Sequence, residues 1–432
     1  MKYYIARAWR LSKEALWIVS GQVAALIGGL YLVRLLTGFL DPETYGEVAL
    51  GIALSALLHE VLMGGAKSAV ERFYHIANRV DDLSGFVLSS LKFVAAGIGL
   101  VTLIGIGAVL YLSVTNQNEY VYFAAMLIVF AIANGLNSIC NGLQNAARKR
   151  AVVALHTALN SWLKVAFALL CISHLGPTAS SVVLGYCLAS AIVNVSQFSL
   201  VYRLLKPALS EPKRARRWTV EMWIYSWPYM TWSLFTWAQQ ASDRWALQGF
   251  GTLEDVGLYA VVFQLSYTPI AMATQMLSSV VAPILFGRAG DASDDASNAL
   301  VHKAAWQMAG LALAGTAFAG LIAWLLHTWL FSFLVAEAYQ SVSYALPYLV
   351  LAGGVFASGQ LLSLKILSEL RAIDLLYVKI GSAIIGLIAN IVGAAAYGLE
   401  GVLIGQILFS ATYFLGVSYL SRAKKVFGAG EV

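Results

Sequence analysis

Apolar runs of about twenty residues recur from one end of the chain to the other, and no other feature restricts the fold as severely. A bilayer core of roughly 30 Å needs about that many residues in each crossing helix. Within it every backbone polar group has to be satisfied inside its own segment, so all spans are expected to be helical. With 59% hydrophobic and 12% charged residues and a mean hydropathy of +0.74, the 432-residue chain does not read as a soluble globular protein. The runs fall near 15–38, 45–66, 84–113, 120–143, 151–174 and 178–202, then near 222–249, 256–285, 303–330, 343–368, 374–397 and 400–421. Between the two sets lies one long hydrophilic link, KPALSEPKRARR at 206–217. The expected fold is an all-α integral membrane protein. Twelve helices would form two pseudo-symmetric six-helix bundles, 1–204 and 222–432, joined by a basic linker at 205–221, around a central cavity.

The halves share a duplicated stretch. With Leu36 set on Leu247, an offset of 211 positions gives eight identities in twenty without a gap. They include Gly38 with Gly249, Phe39 with Phe250, Glu43 with Glu254 and Gly46 with Gly257. In each copy an apolar run ends at Gly-Phe, an acidic turn follows, and a second run begins after a glycine. Both copies point the same way across the bilayer, so the halves should be related by an axis along the membrane normal, as in transporters built from parallel repeats.

Charge sets the orientation. Of 28 Lys and Arg residues, six lie within spans and the remaining 22 in the termini and every second loop. The alternate loops carry Asp41, Glu43, Glu119, Glu254, Asp255, Glu337 and Glu400 instead. The positive-inside rule then places both termini in the cytoplasm. The N-terminal run is too long for a signal-peptide core and is expected to be retained. Cys140, Cys171 and Cys187 lie in spans with no metal-ligand spacing and read as small packing residues. Pro228, Pro269, Pro283 and Pro347, inside or near the ends of second-half spans, are expected to kink them.

Five spans carry polar stripes at helical spacing: Asn134/Asn137/Asn141/Asn145, His156/Asn160/Lys164, Gln264/Thr268/Gln275, Lys379/Ser382/Asn390 and Gln406/Ser410/Tyr413. Each is open to two readings, hydrogen bonding between helices or a shared water-filled cavity, and five stripes together favour the cavity. Six cations lie within spans: Arg34, Lys92, Lys164, Arg244, Lys365 and Lys379. Lys92 and Lys379 are near enough to span ends to snorkel, and Lys365 has Glu369 one turn on. Lys164 sits about a dozen residues past Arg148-Lys149-Arg150 with no carboxylate in its own helix. A mid-bilayer lysine costs about 2.5–3.5 kcal/mol on insertion scales, so an unpaired one implies a ligand or a cavity. The buried acids are fewer, Glu60 and Asp243, and the embedded charge is net positive. That suits an anionic substrate, with Lys164, His156, Asn160, Lys365 and Lys379 as its expected contacts. Trp232 and Trp237 lie too deep for an interfacial belt and are candidates for stacking on sugar rings; packing against lipid is the alternative. Arg34 and Asp243 occupy nearly equivalent depths, and a gate formed by their pairing is expected. Pairing of Asp243 with Arg244 or another local group is the alternative. Glu60 and Asp243 are candidates for ion coupling.

RLLTGFLDPETYGEVAL with GGAKSAVERF, and SDRWALQGFGTLEDVGLYAVVFQLSYTP in the second half, resemble the polysaccharide-transporter family. Its members are flippases for lipid-linked O-antigen and exopolysaccharide repeat units, within the multidrug/oligosaccharidyl-lipid/polysaccharide exporter superfamily. Asp243-Arg244 and Arg72 look like positions where that family carries such residues. The resemblance implies transfer of a polyprenyl-pyrophosphate-linked oligosaccharide from the cytoplasmic to the outer leaflet of a bacterial inner membrane. It also implies membrane lipid and a glycan polymerase complex as partners. Drug–cation antiporters of the superfamily commonly carry an acid in the first helix, whereas here the charge at 15–38 is Arg34 alone. A membrane glycan polymerase or ligase is the competing class, but the short alternate loops contain no His, Lys or Arg. No P-loop, metal cluster or nucleophile–base pair is visible, so neither a catalytic role nor a cofactor is expected, nor a nucleic-acid partner.

Overall fold

The computed structural model describes residues 2–210, 218–289, 295–369 and 371–422. Residues 211–217 of the basic linker lie outside the described residues, as do Lys424 and Lys425. Among the described residues there is no strand. The helices are α1 (Lys2–Phe39), α2 (Pro42–Arg79), α3 (Leu83–Val114), α4 (Asn118–Ala146), α5 (Arg150–Leu175) and α6 (Ala179–Ser210). After them come α7 (Trp218–Phe250), α8 (Leu253–Ala289), α9 (Asp295–Leu334), a 3-10 turn at Glu337–Ala345, α10 (Leu346–Ser368) and α11 (Ala372–Arg422).

Among the described residues, ten helical segments are long and apolar enough to cross a bilayer. The twelve expected spans therefore do not all appear separately, for two physical reasons. The seventh carries so many Trp, Tyr, Ser and Gln residues that α7 is not among the ten. The last two are run together as α11, whose 51 residues would extend about 75 Å if straight, far more than one crossing needs. Its interior breaks at Gly398 (φ 57°, ψ −131°). There the chain doubles back: a Cβ on Gly393 would strike the Gly401 backbone, and Gly386 faces Phe409. No side chain is comfortable at that dihedral pair, so Gly398→Ala should cost about 1–3 kcal/mol, read as a lower melting temperature in detergent. Pro347 does not kink a helix as expected. It occupies the first turn of α10, where a missing N–H costs nothing.

The chain forms two compact units, Met1–Leu35 with Glu47–Trp237, and Leu36–Gly46 with Ala238–Val432. In the first, α2, α3, α4 and the start of α7 share a core of Met63, Val70, Phe73, Phe86, Ile139 and Trp218. The Trp218 indole donates to Asp82, whose other oxygen caps α3 at the Gly85 N–H. Small residues let α5 lie between two neighbours. A Cβ on Gly21 would meet the Ala154 backbone at 2.7 Å, and one on Gly185 would meet that of Ala168 at 2.6 Å. In the second unit, α9, α10 and α11 enclose Ala305, Leu362, Ile366, Phe409 and Tyr413.

Both tips of the duplicated hairpin belong to the second unit and repeat each other bond for bond. Leu40 N donates to Leu36 O (2.8 Å) and Gly251 N to Leu247 O (2.7 Å); Tyr45 N donates to Asp41 O (3.0 Å) and Val256 N to Thr252 O (3.2 Å). Even the caps correspond with their residue types exchanged. Asp41 accepts from Thr44 N (2.7 Å), while Thr252 accepts from Asp255 N (3.1 Å) and Asp255 reaches back to Thr252 N (3.0 Å). The tips also pack on each other reciprocally. A Cβ on Gly46 would strike the Leu253 carbonyl, and one on Gly257 would strike the Pro42 carbonyl, the same position of the opposite copy. A local two-fold axis therefore runs between Gly46 and Gly257.

Candidate functional site

In the first unit, Lys164 projects from α5 onto two rings. Its Nζ lies 5.1 Å from the centroid of Phe130 on α4 and 5.4 Å from that of Tyr186 on α6. The rings lean on each other at 5.7 Å and 45°. Lys164 is half-buried, and no carboxylate among the described residues lies within ion-pair distance of it. Ring faces attract an ammonium, yet satisfy none of its three donors. One turn earlier, the buried Oδ1 of Asn160 has no hydrogen-bond partner. His156 is differently placed. It is buried, with Nδ1 at 2.7 Å from Val152 O and Nε2 at 3.0 Å from Ser196 Oγ, so it ties α5 to α6.

A second polar stripe, on α2, was not recognised in the sequence beyond Glu60. Glu60, Lys67 and Glu71 are spaced by seven and four and fall on one helix face. Lys67 lies over Gly142 of α4, where a Cβ would come within 3.1 Å of its Cγ. It is within electrostatic reach of Glu60, and both Lys67 and Lys164 are within reach of His59. The missing signal was the long spacing, which hides a face when acid and base alternate along it.

In the second unit, Asp243 is fully buried and fully engaged. Its Oδ2 accepts from the Tyr259 hydroxyl (2.6 Å) and Gln406 Nε2 (3.1 Å), and its Oδ1 from Arg244 N (2.7 Å). Beside it, Asn390 donates to Ser242 Oγ (2.9 Å). Asp243 thus has local partners within its own unit. Arg34, its expected gate partner, is solvent- or lipid-exposed on α1. The Arg244 guanidinium covers the Phe263 ring at 4.6 Å, and its buried Nε lacks a hydrogen-bond acceptor. Asp243→Ala would strand a buried hydroxyl and an amide, at about 1–3 kcal/mol each. A drop of several degrees in melting temperature is expected, with a smaller drop for Asp243→Asn, which keeps an acceptor.

Lys365, the expected second-half counterpart of Lys164, has partners within its own unit. It is buried, pairs with Glu369 at 3.1 Å and donates to the Ser421 carbonyl. Arg371 bonds Asp374 (2.8 Å) and the Leu420 carbonyl (3.3 Å). The two cations close the C-terminal end of α11, where carbonyls lack intrahelical partners and the helix dipole favours positive charge. Lys379 is half-buried on α11. Trp237 spends its indole N–H on the Ala53 carbonyl (2.6 Å), which pins α7 to α2, and Trp232 is half-buried.

The polar stripes are partly engaged within the protein. Each spends members on protein partners. Gln197 of α6 donates to Asn141, and Asn141 in turn to Asn137. Thr268 bonds Gln264, Gln406 bonds Asp243 and Tyr413 bonds Gln360. In apolar surroundings a polar side chain gains more from a hydrogen-bonding neighbour than from facing hydrocarbon, so members of the α4, α5 and α11 stripes tie helices together, while the Thr268–Gln264 bond stays within α8.

Residues 11–287, close to two-thirds of the chain, match the family described as polysaccharide biosynthesis protein. No curated protein matches the chain. Among solved structures, the fold is similar to the inward-facing conformation of a multidrug resistance MATE family transporter of the MOP superfamily. That match has 16% identity, covers 94% of this chain and 98% of the other, and has a TM-score of 0.62. A mutant of the Vibrio cholerae MATE transporter VcmN gives 15% identity, 98% and 99% coverage and a TM-score of 0.62. The lipid II flippase MurJ, in an inward closed conformation, gives 12%, 94% and 87%, and 0.67. At these identities the likeness is one of fold. The chain belongs to the polysaccharide biosynthesis protein family and is a multi-pass, all-helical membrane protein with the fold of MOP-superfamily transporters.

Proposed function

We propose that the protein is a flippase for polyprenyl-pyrophosphate-linked oligosaccharide, of the O-antigen or exopolysaccharide repeat-unit kind. It carries the substrate from the cytoplasmic to the outer leaflet of a bacterial inner membrane by alternating access, with both termini cytoplasmic. The duplication supports this division into two halves, 1–204 and 222–432, about the 205–221 linker. The observation that carries the reading is Lys164: a half-buried ammonium in mid-helix, held by two rings and lacking a carboxylate. A pyrophosphate leaving the headgroup region loses hydration that only fixed charge and donors replace. Lys164 supplies the charge, Asn160 stands one turn away, and His156 positions the helix through Ser196. Lys379 and Trp232 are secondary contacts in this reading.

The buried Asp243 favours a second feature, coupling to an ion. A carboxylate accepting from a hydroxyl, an amide and a backbone N–H is a group whose charge state alters local packing; Glu60 is the first-unit candidate. A membrane-embedded glycan polymerase is the partner that would consume the delivered substrate. Depletion of the protein in its native cell should make newly made oligosaccharide-lipid inaccessible to membrane-impermeant periodate added from outside. If it remains accessible at the wild-type rate, the flippase reading fails.

A further inference from the structure

The aromatic residues of α7 divide into two kinds. Met222, Ser226 and Met230 form the side packed on α2, where Ser226 Oγ donates to Gly65 O (2.9 Å) and a Cβ on Gly65 would touch Met230. At about 100° per residue, Tyr225 and Tyr229 flank that side on one edge, and Trp223 and Trp227 flank it on the other. The tryptophan edge is apolar. Trp223 and Trp227 are more than half exposed, as are Val220 and Ile224 beside them, and Phe93 meets Trp223 edge-on at 6.0 Å. That composition suits lipid.

The tyrosine edge differs in every respect. Glu221, Tyr225 and Tyr229 follow one another at four-residue spacing. The two hydroxyls meet at 3.1 Å and the rings at 5.2 Å and 38°, while Phe73 holds the Tyr225 ring edge-on at 5.8 Å. Arg72 and Glu71 of α2, both exposed, lie within electrostatic reach of Tyr225. Exposed charges of both signs need water, so this edge is wet rather than lipid-covered. Two aromatic faces, two hydroxyls, a guanidinium and a carboxylate on one aqueous edge match the needs of a sugar. Its C–H faces stack on rings, and its hydroxyls both give and accept hydrogen bonds.

We propose that Tyr225 and Tyr229, with Arg72 and Glu71, form a saccharide subsite that engages the glycan of the transported lipid. This rests on the flippase reading and adds to it the residues that recognise the sugar, apart from those that meet the pyrophosphate. The same α2 face continues through Lys67 toward the electrostatic neighbourhood of Lys164, so glycan and pyrophosphate have separate contacts within one unit.

The test is binding to the purified full-length protein in nanodiscs. Two probes are used: polyprenyl pyrophosphate carrying the native cell's own repeat-unit oligosaccharide, and bare polyprenyl pyrophosphate. Tyr225→Leu/Tyr229→Leu should weaken the glycosylated probe about tenfold and leave the bare probe unchanged. Tyr225→Phe/Tyr229→Phe, which keeps the rings and the packing, should weaken the glycosylated probe about threefold. Lys164→Ala should weaken both probes. Equal loss for both probes in the tyrosine variants would make this edge a phosphate or packing site and overturn the subsite. Unchanged binding of the glycosylated probe would overturn it too. A wild-type protein that binds neither probe would overturn the flippase reading itself, and the subsite with it.

Discussion

Lys164→Glu should abolish delivery of oligosaccharide-lipid to the outer leaflet, Lys164→Ala should reduce it about ten- to a hundredfold, and Lys164→Arg should keep most of it. The magnitude follows from a charge-assisted hydrogen bond of about 1.5–3 kcal/mol lost at the point where the pyrophosphate is least hydrated. The order follows from sign. Glutamate places like charge against the substrate, alanine removes the attraction, and arginine retains it with a different donor geometry. A purely structural Lys164, serving only to cover Phe130 and Tyr186, predicts another order. Alanine would then be tolerated and arginine, the bulkier group, would disturb the ring pair. Surface glycan, quantified in cells that make each variant at equal level, separates the two. Normal glycan with Lys164→Ala would remove this residue from the substrate path.

The second large effect concerns the hairpin tips. Gly257→Leu or Gly46→Leu should prevent accumulation of folded protein, because the new side chain enters the backbone of the opposite tip rather than the end of a flexible group. Overpacking in a well-packed interior costs about 1–3 kcal/mol even where side chains can move aside, and here a carbonyl would have to move. The matched glycines of the same motif behave oppositely. Gly38 and Gly249 have nothing within 4 Å of an added Cβ, so alanine at either should be neutral or stabilise by up to about 1 kcal/mol through helix propensity. Detergent-solubilised yield and melting temperature measure both. A folded, stable Gly257→Leu would contradict the reciprocal packing of the two copies.

These glycines show how far the sequence could be read. Eight identities at an offset of 211 identify the repeat and make Gly46 the counterpart of Gly257; that the two tips pack on each other appears only in the fold. The spans were legible because a bilayer leaves the backbone so few choices. Side-chain direction was not. Helical spacing puts Asn137 and Asn141 on one face but does not say that Gln197 of another helix waits there. Asp243 offered the same ambiguity: depth in the span suggests Arg34, but not that Tyr259 and Gln406, 16 and 163 residues away in sequence, also bond it. Lys365 was read half correctly. Its pairing with Glu369 is local and was visible, whereas its second task, closing the end of α11 at Ser421, depends on a contact 56 residues away. Lys164 stood out for a negative reason, the lack of a carboxylate in its own helix, and among the described residues none lies within ion-pair distance of it.

The most direct measurement of the central claim is transfer of purified polyprenyl-pyrophosphate oligosaccharide across proteoliposomes that hold only this protein. Periodate in the outer solution reports which leaflet the glycan occupies. Wild-type vesicles should lose protection of the inner-leaflet pool at a rate well above protein-free vesicles, with the glycan neither lengthened nor hydrolysed before periodate is added, and Lys164→Glu vesicles should match the protein-free rate. Equal rates in wild-type and protein-free vesicles, or a lengthened or hydrolysed glycan in place of a moved one, would contradict the account.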